Sequence, residues 1–275
     1  MTAQPMITLN DARRMPQLGL GVWQTPADET ASVVKSALEA GYRLVDTAAV
    51  YGNEVGVGEG LRTAGLSSDD VFVTTKLWNE SQGFERTQRA FEKSLRRLGL
   101  DQVDLYLIHW PAPGQDLYLE SWRALIQLQK EGLTKSIGVS NFAVEHLRRI
   151  IDETGVVPVV NQIELHPSFQ QAPLRAFHAE HGIATESWSP LGRGAALSDP
   201  VLARIAAKHG RTPAQIVLRW HLDLGLVVIP KSVRPQRIAE NFAVFDFHLD
   251  EADMTAIAGL DDPAGRMGPD PLAFG

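Results

Sequence analysis

A closed (β/α)8 barrel, the TIM-barrel class, is the fold this chain predicts, and three observations predict it. Short β-branched runs alternate with amphipathic stretches along nearly the whole length, which calls for a parallel sheet with helices outside it. Eight such runs can be counted, the number at which a parallel sheet of this kind closes on itself. The 275 residues suit one such domain, 1–275, with neither a linker nor a charge run to divide them. An open parallel sheet is the rival arrangement, because it uses the same alternation.

In chain order, Met6-Ile7-Thr8-Leu9 and Met15-Pro16-Gln17 flank Asn10-Asp11-Ala12-Arg13-Arg14, a plausible hairpin turn. A β-hairpin placed before the first barrel strand would plug the barrel bottom, away from chemistry. The strand candidates are then Leu18–Val22, Arg43–Asp46, Val71–Lys76, Val103–His109, Lys135–Val139, Val159–Glu164, Ala184–Trp188 and Leu226–Pro230. Thr25-Pro26-Ala27-Asp28 and Thr212-Pro213-Ala214-Gln215 mark two helix starts, with Thr at the cap, Pro at the first helical position, and an acid or amide at the third. Gly56-Val57-Gly58-Glu59-Gly60 has the look of a nucleotide loop but lacks the G-x-G-x-x-G spacing. It falls on an expected helix, so small-residue helix packing is the better reading. Asp261–Gly275, rich in Pro and Gly, should be an irregular tail.

Composition narrows the function. A formal net charge of −7 argues against a nucleic-acid partner, since neutralising phosphates needs a basic face. Cys is absent, which excludes disulfides, thiolate metal sites and a Cys nucleophile, and fits a reducing compartment. The start, Met-Thr-Ala-Gln-Pro-Met-Ile-Thr, carries no basic segment with an apolar one behind it. No run of about 18 apolar residues occurs either, so a cytoplasmic chain without a membrane anchor is expected. There is no H-x-H or H-E-x-x-H pair, and no catalytic metal is expected.

Four polar residues stand just beyond three of the apolar runs. Asp46 and Tyr51 follow Tyr42-Arg43-Leu44-Val45, Lys76 closes Val71–Thr75, and His109 closes Val103–Ile108. The carboxyl ends of parallel barrel strands converge on one mouth. An Asp, a Tyr, a Lys and a His gathered there could hold a carbonyl group and protonate its oxygen. Free Tyr titrates near 10, a poor match to neutral pH. An ammonium about 4 Å away is worth roughly 4 kcal/mol at an effective dielectric of about 20. That would pull the phenol down by up to about 3 pH units, less whatever Asp46 cancels. Asp46 would keep Lys76 charged, and His109 would donate to the carbonyl oxygen. Trp23, Trp78 and Trp110 also fall at strand mouths and would wall an apolar substrate pocket, with Asn79 as a polar contact; Trp122 and Trp220 lie in helical patterns and read as core.

Gly41–Ala48 through Tyr51-Gly52-Asn53-Glu54 resembles the signature of the aldo-keto reductases, as do Leu107–Pro111, Ile137–Phe142, Asn161–Glu164 and Ile229–Ser232. Trp78-Asn79, Thr212–Gln215 and Val244-Phe245-Asp246-Phe247 look most similar to the bacterial 2,5-diketo-D-gluconate reductase branch. The resemblance implies NADPH-dependent reduction of aldehydes, ketones or diketones, with a tetrad of Asp46, Tyr51, Lys76 and His109 in which Tyr51 gives the proton. It places Ser140, Asn141 and Gln162 at the nicotinamide carboxamide and Trp188 on the nicotinamide ring. Ser189 and Leu191 would open the loop toward the pyrophosphate. Ile229, Lys231, Ser232, Val233, Arg234, Arg237, Glu240 and Asn241 fall in the segment that would carry the adenosine 2′-phosphate. Three cations near a helix start suit that phosphate, which favours NADPH over NADH. A monomer acting on a small carbonyl compound is expected. Two rivals stay open: a nicotinamide-sensing binding subunit on the same barrel, and a Schiff-base aldolase with Lys76 as nucleophile.

Overall fold

The computed structural model describes residues 4–275. Met6–Thr8 (β1) and Arg14–Pro16 (β2) pair antiparallel, with Ile7 opposite Met15. Eight parallel strands follow: Leu20–Gly21 (β3), Leu44–Asp46 (β4), Phe72–Leu77 (β5), Val103–Ile108 (β6), Thr134–Ser140 (β7), Val160–Glu164 (β8), Ala184–Trp188 (β9) and Val227–Val228 (β10). Each hydrogen-bonds to the next in chain order. The first and last strands meet as well. Leu18 bridges Val228, the Gly19 N–H donates to the Val228 carbonyl at 2.9 Å, and the Gly21 N–H donates to the Pro230 carbonyl at 3.1 Å. The sheet is therefore a closed barrel and not the open alternative. The seam strands are shorter than the apolar runs that announced them. Pro230 has no N–H to continue the ladder, which limits one of them.

Side chains alternate along each strand, and one set fills the lumen. Leu44, Phe72, Leu105, Leu107, Val160, Val227 and Ile229 form one buried cluster there, and Leu9 and Met15 of the hairpin join it. Because β2 runs directly into β3, the hairpin caps the amino ends of the strands, as the sequence predicts. Two glycines make the lumen packing possible. A Cβ on Gly19 would stand 2.5 Å from Leu44 Cγ, and one on Gly138 would stand 2.7 Å from the Val160 carbonyl oxygen.

Ten helices lie outside: Ala27–Ala40 (α1), Glu54–Thr63 (α2), Phe84–Leu98 (α3), Tyr118–Lys130 (α4), Val144–Thr154 (α5), Ala172–Glu180 (α6), Pro200–His209 (α7), Pro213–Asp223 (α8), Pro235–Phe242 (α9) and Glu251–Ala258 (α10), a count of the described residues. Helices α7, α8 and α10 enclose a second apolar cluster around Trp220, Ile205 and Ile257. At α8 the predicted cap forms: Thr212 Oγ1 accepts the Gln215 N–H, and Gln215 Oε1 accepts the Thr212 N–H at 3.0 Å. At α1 it does not. Pro26 itself is the extended cap residue (φ −55°, ψ 141°), which leaves Thr25 one position too early and its hydroxyl without a partner among the described residues. Gly56, Gly58 and Gly60 lie on α2 against Thr30, Leu98 and Val34. A Cβ at Gly58 would reach to 2.0 Å from the Leu98 carbonyl, so these glycines serve helix packing.

Candidate active site

Two-residue periodicity builds the site. Asp46 stands two residues beyond Leu44, Lys76 two beyond Thr74, and His109 two beyond Leu107, so each points the way its lumen-facing neighbour does, one level higher. Lys76 is completely buried. Its Nζ donates to Asp46 Oδ1 at 2.6 Å and to the Thr47 carbonyl at 3.0 Å, and lies 3.5 Å from the Tyr51 hydroxyl. Tyr51 ends a 3-10 turn, Ala49–Tyr51, that folds back over the mouth. Its hydroxyl lies 3.5 Å from His109 Nε2. The Trp78 ring meets His109 edge-on at 5.2 Å between centroids. The four predicted catalytic residues are thus one contiguous group.

Burial acts on every ionisable member. It lowers Lys76, but Asp46 and Tyr51 more than compensate, and the ammonium is held above its ordinary value. It raises Asp46 against the pull of Lys76 and Gln162. The two directions compete for one proton. The ion pair fits the geometry better, because both Asp46 oxygens accept N–H donors, from Lys76 and from Gln162. Burial also raises the Tyr51 phenol, and Lys76, though it lowers it, does not win, with Asp46 adding to the rise. The expected net lowering is therefore corrected: desolvation of a phenolate outweighs one ammonium that is already paired. His109 is driven well below its ordinary value by burial and then by Lys76, so it is neutral at pH 7. Its Nδ1 is buried with no hydrogen-bond partner among the described residues. The tautomer that leaves least unsatisfied carries its hydrogen on Nε2, facing Tyr51.

A cavity of about 490 Å³ opens above this group. Ser140, Asn141, Gln162, Trp188, Ser189, Ile229 and Lys231 line it, as do Trp23, Trp78 and Trp110. The polar residues at β7 and β8 are largely paired with one another. Ser140 Oγ donates to the Gln162 carbonyl at 2.9 Å, Asn141 Nδ2 donates to the His109 carbonyl at 3.0 Å, and Trp188 Nε1 donates to Asn141 Oδ1 at 2.8 Å. Gln162 Nε2 donates to Asp46 Oδ2 at 2.8 Å and to Glu186 Oε2 at 2.9 Å. Among the described residues nothing donates to its Oε1, which could accept from an incoming amide. Farther out, Lys231, Arg234 and Arg237 are exposed, and among the described residues none has a carboxylate partner.

Other predicted residues lie off the cavity wall. Leu191 packs into the apolar layer beneath, and Val233 is half-buried there. Ser232 Oγ accepts the Arg234 N–H at 3.1 Å, the Thr212 hydroxyl donates to Glu240 at 2.8 Å, and Asn241 is buried. Asn79 is buried under the tail, its Nδ2 beside Gly275. Trp122 and Trp220 are core, as expected.

The tail, short enough that the sequence assigns it no role although its end near Phe274 could lid the pocket, is part of the wall. Met267 and Gly268 donate backbone N–H groups to the two Glu164 oxygens at 2.6 and 2.8 Å. Burial raises that carboxyl, but His166 and these two N–H groups outweigh it and hold it ionised. Pro269 then lines the cavity, and Phe274 packs edge-on against Trp110 at 4.7 Å. Arg193 is a second residue the sequence reading misses. It lies with its guanidinium 5.6 Å from the Trp23 ring and borders the cavity. Glu186 is the third. Its signal is its place two residues before Trp188 on the same strand face.

A model of the aldo/keto reductase family matches residues 16–262. A methylglyoxal reductase DkgA of Escherichia coli K12 is 55% identical over 277 residues, covering 100% of both chains. An aldo-keto reductase of Mycolicibacterium smegmatis is 55% identical over 270 residues, 98% of each chain. Among solved structures, a Gox0644 variant in complex with NADPH is 59% identical with a TM-score of 0.95 over 98% of each chain. An aldo-keto reductase of Bombyx mori in complex with NADP is 39% identical with a TM-score of 0.89, over 95% of this chain and 94% of that one. With the family match spanning most of the barrel and these relatives covering its whole length, the chain belongs to the aldo/keto reductase family.

Proposed function

We propose that this protein reduces aldehydes, ketones or diketones to alcohols, with Tyr51 as proton donor and NADPH as the reductant. One observation carries the reading: the Tyr51 hydroxyl lies 3.5 Å from both Lys76 Nζ and His109 Nε2 at the floor of an apolar cavity. A carbonyl oxygen placed there meets two donors, Tyr51 O–H and His109 Nε2–H. As the oxygen gains charge, Tyr51 transfers its proton. The phenolate left behind sits beside the Lys76 ammonium, which lowers the cost of forming it. Asp46 keeps that ammonium charged and fixed, which also speaks against Lys76 as a Schiff-base nucleophile.

The residues fit the proposed cofactor. Gln162 Oε1 and Ser140–Asn141 would meet a carboxamide, Trp188 a flat ring, and Lys231, Arg234 and Arg237 a 2′-phosphate. Bound NADPH would supply the hydride. That relatives are named methylglyoxal reductases supports a small α-dicarbonyl among the substrates, and the Gox0644 complex with NADPH supports that cofactor. Walls of Trp23, Trp78 and Trp110 suit a substrate with an apolar face. A monomer of one domain completes the reading, and the Cys-free composition supports a reducing compartment, the cytoplasm. Loss of NADPH absorbance with methylglyoxal and a panel of aldehydes and ketones tests it. NADPH binding without turnover of any of them would favour the binding-subunit alternative.

A further inference from the structure

Glu186 is a buried carboxyl that the reduction as described does not use. It sits mid-strand on β9, where its register partners are Gln162 on β8 and Val227 on β10. It is completely buried, and among the described residues its Oε1 has no hydrogen-bond partner. Its other oxygen accepts Gln162 Nε2, the same nitrogen that donates to Asp46. The amide has two hydrogens, and this geometry spends one on each acid. A flipped amide would turn its oxygen toward both, so the network settles the orientation.

The geometry points to Glu186 as a positioning residue of the reduction: through the Gln162 amide it holds Asp46, and through Asp46 the Lys76 ammonium, in line with Tyr51. The inference rests on the reductase reading. The titratable groups around it are Asp46 from β4, Lys76 from β5 and Tyr51 from the turn after β4; β8 presents Gln162, and β10 the apolar Val227. Burial, then the Asp46 charge, pushes the Glu186 carboxyl up to about 8. At pH 7 the neutral acid predominates, and Asp46 with Lys76 then leaves the dry core without net charge. Above that value a second anion arrives beside Asp46. It has no cation of its own, and it raises the Tyr51 phenol further.

Two substitutions test this. Glu186→Leu leaves one Gln162 hydrogen without an acceptor and frees the amide to turn, so kcat should fall about ten- to a hundredfold. Glu186→Gln restores an uncharged acceptor and should recover most of that loss. Wild-type kcat should decline as pH rises through about 8, and E186Q should lack that decline. A purely structural role would leave the pH profile unchanged. Stability gives a reading independent of activity. A carboxyl raised in the folded state binds its proton there while the unfolded chain has lost its own. Its stabilising share is thus complete below the unfolded value and lost as pH rises toward about 8. The Tm of E186Q relative to wild type should therefore climb between pH 5 and pH 8 and then level off.

A flat Tm difference removes the neutral acid on which the pH test rests and overturns the proposal; an alkaline decline that persists in E186Q overturns it too, and assigns that decline to Tyr51. Unchanged kcat in E186L overturns it as well. Wild-type protein that turns over no carbonyl overturns the reductase reading and the positioning role together, and the Tm difference still reports whether Glu186 is neutral.

Discussion

The tetrad at the mouths of β4, β5 and β6 and the cationic segment after β10 serve one proposed reaction, yet they are built in opposite ways. At the tetrad every charge is out of water and already paired: Lys76 is fully buried, with Asp46 at 2.6 Å. After β10, Lys231, Arg234 and Arg237 stand exposed with no carboxylate among the described residues to neutralise them. A catalytic group gains from being fixed before the substrate arrives, because reorganising dipoles during the reaction would cost rate. A group that must capture and release a soluble anion gains from remaining hydrated and free. Substitutions at the first should alter chemistry strongly, and at the second affinity moderately.

Tyr51→Phe should have the largest effect. Reduction should fall by about 10²–10⁴-fold from the lost general acid alone, more with the lost contact to the oxygen, while NADPH affinity stays near wild type. Steady-state rates beside fluorescence titration measure both, and activity within a few-fold of wild type would falsify the donor assignment. Lys76→Met should cut turnover to a similar extent and also destabilise the fold by about 3–5 kcal/mol, because Asp46 is left buried and unpaired. Urea unfolding of K76M alone and combined with D46N separates the two effects. If the double variant is no more stable than the single one, the pair does not carry the strain ascribed to it.

Arg237→Ala addresses the open side of the comparison. NADPH affinity should drop about ten- to a hundredfold through one charge-assisted contact, with NADH nearly unaffected. Equal weakening of both cofactors would show that this Arg supports the fold or binds another group. Trp188 stands between the two regions, lining the cavity with its Nε1 tied to Asn141. Trp188→Ala should weaken NADPH and NADH alike, by about 0.5–1.5 kcal/mol of aromatic contact plus the buried area. Unchanged binding of both in isothermal titration would make the residue a core element only.

Much of this was legible from the chain alone. The alternation of strand and helix predicted the barrel, and the two-residue period carried Asp46, Lys76 and His109 to one mouth. The capping pattern at Thr212 held, whereas the same pattern at Thr25 shifted by one residue, since a Pro in extended conformation can stand at the cap as well as inside it. These are properties of a few neighbouring residues, and covalent geometry transmits them without reference to the rest of the molecule.

What only the tertiary structure decided depends on residues far apart in sequence. Gln162 meets Asp46 across 116 positions, and Glu164 holds the backbone of Gly268 across 104. No local pattern announced that Glu164 would hold the tail against the cavity, that Arg193 would lie over Trp23, or that Glu186 would join the tetrad. The direction in which Tyr51 moves belongs here too. The sequence determined that a Lys would stand beside that phenol, which lowers it. Whether that attraction prevails depends on the water excluded by every group around it. Desolvation sums over the whole packed interior, so only the folded chain could show that burial wins.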